Sequence, residues 1–148
     1  MKAHYLGHVV FYVRDLERSL AFYRDLLGFE EVGRIFGGAA AALTSGRTHH
    51  ELLLIEVGEA TAPPSGRRLG LYHIGIKIGD SLEELRAAKQ ELERAGVHIS
   101  GMSDHTVSQS LYLHDPDGNE VELYVDADEA IWKNNPAAAL SPIKPLRL

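Results

Sequence analysis

Eight histidines, 21 acidic residues and no cysteine leave imidazole and carboxylate as the protein ligands for any metal held by this 148-residue chain. The missing cysteines exclude disulfide frameworks, zinc–thiolate clusters, iron–sulfur sites and a cysteine nucleophile together. Two histidines stand at repeated positions. His8 opens HVVFYVRDLERSL (8–20), His73 opens HIGIKIGDSLEEL (73–85), and in each run an Asp follows seven positions later, Asp15 and Asp80. The copies are offset by 65 residues throughout, so two modules fill the chain.

Strand parity decides which side chains can share a site, because alternate residues point to opposite faces. Ile74, Ile76 and Ile78 form an apolar face, which leaves His73, Gly75 and Lys77 on the other. In the run EVELYV (120–125), Val121, Leu123 and Val125 oppose Glu120, Glu122 and Tyr124. His8 shares a face with Val10 and Tyr12, against Val9, Phe11 and Val13. Taken singly, His8 and His73 read as strand-start histidines near the surface and Glu122 as an ordinary outward carboxylate. The repeat adds that the two histidines are related by an approximate twofold. A carboxylate from the neighbouring strand would complete a set of two His and one carboxylate, which leaves open positions for substrate and oxygen on iron(II).

The elements that must position these residues follow from pattern. Residues 8–13 are β-branched or aromatic, as strands are, and Asp15 stands as N-cap to a helix marked by Leu16, Leu20, Tyr23, Leu26 and Leu27 and closed by Gly28. Strands are expected at 29–36, 39–44 and 51–57, separated by Gly37-Gly38 and Ser45-Gly46. The linker 62–68 carries Pro63, Pro64 and Gly66. The second module repeats the order: strand 71–78, helix 81–95 ended by Gly96, a short strand 97–100, strand 108–114, the hairpin turn Asp115-Pro116-Asp117-Gly118-Asn119 and strand 120–125. The expected class is α+β, two tandem βαβββ modules (about 4–58 and 70–126) forming a curved mixed sheet around a metal site in a single domain, 1–126. The segment 127–148, with Pro136, Pro142 and Pro145, is expected to run extended over the surface with Trp132 as its anchor.

Composition limits the partners. Fifteen Lys+Arg against 21 Asp+Glu give a net charge of −6, the wrong sign for a phosphate backbone, so nucleic acid is not an expected partner. No apolar run approaches the ~20 residues of a membrane span, and MKAHYLGHVV lacks the features of a secretory leader. The expected location is the cytoplasm.

The segments GHVVFYVRDLERSLAFYRDLLGFE (7–30), YHIGIKIGD (72–80) and LHDPDGNEVELYVD (113–126) resemble the vicinal oxygen chelate superfamily. That superfamily includes glyoxalase I, fosfomycin and bleomycin resistance proteins and extradiol ring-cleaving dioxygenases. The resemblance covers about residues 5–126 and implies metal ligands at His8, His73 and Glu122, the residues that parity had singled out. Glyoxalase I adds a carboxylate from the fourth strand of the first module. The matching position here is Leu53; Glu51 is displaced by two residues and Glu56 faces the other way.

Other residues resemble the extradiol (catechol 2,3-dioxygenase) branch. Thr48-His49-His50-Glu51-Leu52 looks like the His-His-Asp/Ser element whose second histidine is the catalytic acid–base, here His50. Tyr112, ten residues before Glu122, matches an active-site tyrosine, and Asp104-His105-Thr106 looks like a loop supplying another histidine, His105. Without the resemblance, His49 and His50 read equally as an exposed pair and Tyr112 as a core or rim aromatic. His4, His98 and His114 read as surface residues. The resemblance implies an Fe2+-dependent oxidoreductase (alternatives Mn2+, Ni2+ or Zn2+) acting on a small catechol-type aromatic with O2. A homodimer is expected, its modules paired within a chain or swapped between chains. The alternatives are a glyoxalase I-like lyase or isomerase, with a fourth ligand at Glu51 or Glu56, and a non-catalytic resistance-type module that binds a small molecule.

Overall fold

Strand, helix and three strands occur twice in the computed structural model, which describes residues 1–63 and 66–148. Pro64 and Ser65, within the expected linker, lie outside the described residues. The chain divides into two compact units, Met1–Pro63 and Pro64–Leu148, each with its own mixed sheet. No helix among the described residues is long and apolar enough to cross a membrane.

In the first unit, β1 (Val9–Val13) leads to helix α1 (Leu16–Leu20), which continues as a π-helical stretch over Ala21–Leu26. The start of α1 is capped from two directions. Asp15 accepts from the Arg18 N–H at 2.9 Å and Glu56 accepts from the Leu16 N–H at 2.8 Å, satisfying donors with no partner inside the helix. Gly28 ends the helical run at φ +80, a conformation open to glycine at little cost. Strands β2 (Glu30–Ile35), β3 (Ala40–Thr44) and β4 (Leu52–Glu56) complete the sheet in the order β1-β4-β3-β2, with β1 parallel to β4. Leu20, Tyr23, Leu43 and Leu54 are fully buried in its core.

The second unit contains β5 (His73–Gly79), α2 (Leu82–Arg94), β6 (Ile99–Asp104), β7 (Ser108–His114) and β8 (Glu120–Asp126). Ser81 caps α2 by accepting from the Glu84 N–H, while the Glu84 carboxylate reaches back to the Asp80 N–H at 2.9 Å and the Ser81 hydroxyl at 2.8 Å. That reciprocal arrangement is a capping box in all but the position of one amide. The β7–β8 hairpin turns where expected because the Asp115 carboxylate accepts from the backbone N–H groups of Asp117 and Asn119 and from the Asn119 side chain. Leu111, Leu113, Val121 and Val125 are fully buried on the opposite face from Tyr112 and Glu122. The sheet order is β5-β8-β7-β6, with β5 parallel to β8 and a short strand of the tail beyond β6.

The tail departs from the extended strap expected of it. It forms helix α3 (Ala130–Asn134), a 3-10 turn at Pro136–Leu140 and the short strand β9 (Lys144–Pro145), which pairs with β6. Asp128 accepts from the Ala130 N–H, and Glu129 meets Lys133 at 2.7 Å one turn later, so local polar contacts hold the helix. Nor is Trp132 the anchor. It is 40% exposed beneath the Lys133 ammonium, whereas Ala138, at 7%, is the tail residue that packs inside.

Candidate metal centre and active site

The second unit gathers its chemistry on the sheet face away from the apolar core. Parallel pairing of β5 with β8 sets His73 opposite Glu120 and Gly75 opposite Glu122. The imidazole therefore lies between two carboxylates: Nδ1 is 3.2 Å from Glu120 Oε1 and Nε2 is 3.2 Å from Glu122 Oε2. Antiparallel pairing of β7 with β8 sets Tyr112 opposite Glu122, and the tyrosine hydroxyl donates to Glu122 Oε1 at 3.0 Å.

His105 reaches the same cluster from the β6–β7 loop. Thr106 adopts φ +72, a strained conformation for a β-branched residue, and its N–H donates to Asp104 Oδ1 at 2.7 Å. The His105 N–H donates to the Ser108 carbonyl, and the ring Nε2 comes within 2.7 Å of the Tyr112 oxygen. Because that hydroxyl gives its proton to Glu122, the contact is one in which His105 Nε2–H donates. Burial and the Glu122 charge push the Tyr112 phenol above its ordinary range, which keeps it a donor at neutral pH.

Glu120 and Tyr72 join this cluster although sequence reasoning gave neither a role. Glu120 could have been found, since it shares the Glu122 face two residues earlier. Tyr72 could not: the expected strand 71–78 puts it on the face of Ile74, Ile76 and Ile78, whereas β5 begins only at His73. Its hydroxyl bonds to Glu120, whose charge is the main cause that raises the phenol, and its ring centroid is 4.7 Å from that of His73.

In the first unit, His8 lies just before β1 and its ring centroid is 4.6 Å from that of His50. His49 and His50 meet through their Nδ1 atoms at 2.6 Å. Burial, then the neighbouring His49 and His8, hold the His50 imidazole below its usual value. The register pairs Val10 with Leu53 as it pairs Gly75 with Glu122, so Leu53 is the counterpart of Glu122 in the first module. The two carboxylates considered as a fourth ligand are both engaged. Glu51 accepts from the Ser45 and Thr48 N–H groups and the Thr44 hydroxyl, and Glu56 caps α1.

His73, Glu122, Tyr112 and His105 thus come together in the second unit, and His8 and His50 in the first. Among the described residues, no group of three His, Asp or Glu side chains is arranged to hold an ion. The pair that one unit does assemble suits a divalent cation. Two ligand atoms each ~2.1 Å from a metal lie roughly 3.0–3.4 Å apart between octahedral and tetrahedral angles, and His73 Nε2 and Glu122 Oε2 are 3.2 Å apart. An imidazole nitrogen with a carboxylate oxygen is a donor set that accepts iron, manganese, nickel or zinc.

The family model for the Glyoxalase/Bleomycin resistance protein/Dioxygenase superfamily matches residues 5–123. The chain belongs to this superfamily. Within the glyoxalase/bleomycin resistance protein/dioxygenase superfamily it is 37% identical over 131 residues to a catechol-2,3-dioxygenase of Bacillus subtilis (strain 168), covering 88% of this chain and 45% of that enzyme. The chain therefore spans less than half the length of that relative. A glyoxalase/dioxygenase from Nostoc punctiforme shares the fold at a TM-score of 0.71 and 20% identity, over 82% of this chain and 90% of its own. A lactoylglutathione lyase from Agrobacterium tumefaciens aligns at a TM-score of 0.63 and 26% identity, over 84% of this chain and 96% of its own. Superfamily membership thus spans more than one chemistry, and the reaction has to be argued from side chains.

Proposed function

We propose that the protein is an Fe2+-dependent extradiol ring-cleaving dioxygenase of catechol-type aromatics, with His8, His73 and Glu122 as the metal ligands. The observation that carries this reading is the continuous contact from His73 through Glu122 and Tyr112 to His105. It sets the proposed ligands His73 and Glu122 beside a phenol and a loop imidazole within one unit, which supports the reading. His8 is included by its position in the repeat and by the resemblance alone. The catechol-2,3-dioxygenase relative supports the choice of substrate class.

A bound Fe2+ would supply the centre at which adjacent hydroxyls of the substrate and dioxygen exchange electrons. Both oxygen atoms enter the product while a ring carbon–carbon bond beside the diol breaks, so no external reductant is consumed. The chain's own part is orientation and proton handling. In the structure the Tyr112 proton goes to Glu122 and the His105 Nε2–H goes to Tyr112; with substrate bound, either donor would turn to a substrate hydroxyl or to oxygen, fixing geometry and stabilising developing negative charge. His50, whose imidazole is biased toward the neutral form, takes a proton from the substrate hydroxyl and returns it later.

The lyase alternative needs a fourth ligand, a second carboxylate, and Glu51 and Glu56 are committed to a turn and a helix start. The test is oxygen uptake by the Fe2+-loaded protein over a panel of catechols, run beside a hemithioacetal assay of the Ni2+-loaded protein. One O2 consumed per catechol, with a yellow ring-opened product, is expected. Turnover of the hemithioacetal and no oxygen uptake would overturn the reading.

A further inference from the structure

We infer that Glu120 is a positioning residue that fixes the tautomer and orientation of His73 and thereby sets metal affinity. The inference rests on the metal-site reading above and extends it to a residue that contributes no ligand atom. A neutral imidazole has one N–H and one lone pair. For Nε2 to offer its lone pair beside Glu122, the proton must sit on Nδ1, and Glu120 Oε1 accepts there at 3.2 Å. Glu120 is itself held: it shares a strand face with Glu122, pairs in register with His73 and takes the Tyr72 hydroxyl.

Gly75 stands opposite Glu122 on β5, where a Cβ would make ordinary van der Waals contact with Glu122 Oε2 at 3.6 Å and the Tyr124 ring at 3.5 Å. The Glu122 carboxylate meets His73 Nε2 at 3.2 Å while Glu120 engages Nδ1 on the other side of the ring. A metal-bound histidine whose other nitrogen donates to a carboxylate is a more basic and better oriented ligand, and loss of such a partner typically weakens metal binding ~10–100-fold.

The experiment titrates Co2+ into the metal-free full chain by calorimetry and by visible absorption of the bound ion. Glu120→Ala is expected to bind Co2+ at least tenfold more weakly and with an altered spectrum, while its thermal midpoint without metal stays near that of the wild type. Glu120→Gln retains an oxygen that accepts from Nδ1–H and is expected to recover part of the affinity; it also serves if the alanine variant fails to fold. Should the wild type bind Co2+ and His73→Ala lose it, yet both Glu120 variants bind within twofold of wild type, the inference fails while the ligand assignment stands. Should the wild type itself take up no Co2+, the ligand assignment fails and the inference with it.

Discussion

Tyr112 donates its hydroxyl to Glu122 at 3.0 Å across the register that pairs these residues on β7 and β8. One carboxylate oxygen of Glu122 is thereby engaged by a phenol and the other faces His73 Nε2, so the side chain has little rotational freedom left. A candidate ligand is held in place by a candidate catalytic residue, and the two roles can be separated by substitution.

Tyr112→Phe keeps the ring and removes the donor. Steady-state kinetics should show kcat reduced on the order of 10²-fold, the usual cost of losing one donor to developing negative charge, with the iron content per chain unchanged. Equal losses of iron and activity would make Tyr112 a support for Glu122 and nothing more.

His50→Gln should lower kcat by about 10²–10⁴-fold, the range for a general acid–base, and leave Co2+ affinity within a few-fold of wild type. Calorimetry decides between this and a ligand role. If His50 were itself a metal ligand, its replacement would abolish Co2+ binding.

Glu51 gives a pH dependence of known sign. Burial raises its carboxyl, but hydrogen bonds from Ser45, Thr44 and Thr48 outweigh that effect and hold it below the usual range. The stabilisation is therefore present above the unfolded value of ~4.3 and is lost as pH falls through the depressed folded value. Glu51→Ala should cost about 1–3 kcal/mol in urea denaturation at pH 7, because it leaves turn amides without an acceptor. The gap from wild type should narrow on acidification below pH ~4; a gap independent of pH would assign the loss to packing.

Asp104→Ala removes the acceptor for the Thr106 N–H, and with it the contact that holds a β-branched residue at φ +72. Relaxation of that strain should carry His105 away from Tyr112. In ¹⁵N-detected spectra the His105 ring should lose the signature of its hydrogen bond, while Asp104→Asn should retain it. An unchanged His105 resonance in the alanine variant would show that the loop is held by other contacts.

Alternation alone was enough to separate His73, Glu120, Glu122 and Tyr124 from the isoleucine and valine faces, because each run is short, unbroken and apolar on one side. The 65-residue offset, with Asp15 and the residues around Asp80 at the helix starts, made both modules legible. The engagement of His73 by Glu120 was not legible, since it depends on the parallel register of β5 and β8, two strands 47 residues apart at that contact. The Tyr72 bond to Glu120 escapes alternation because a strand expected from residue 71 puts Tyr72 on the isoleucine face, whereas β5 begins at His73. In the tail, prolines suggested an extended path, but Pro136 falls in the first turn of the 3-10 segment, where a missing N–H costs nothing. Side-chain size pointed to Trp132 as the anchor, whereas the small Ala138 is the residue that the fold encloses.

The most direct test of the central assignment is the iron content of anaerobically reconstituted wild type beside His73→Ala and Glu122→Gln. The expected result is one iron per assembled site in the wild type and its loss in both variants, with thermal unfolding of the metal-free proteins showing that the variants still fold. Iron retained by folded His73→Ala, or absent from the wild type, would contradict the assignment.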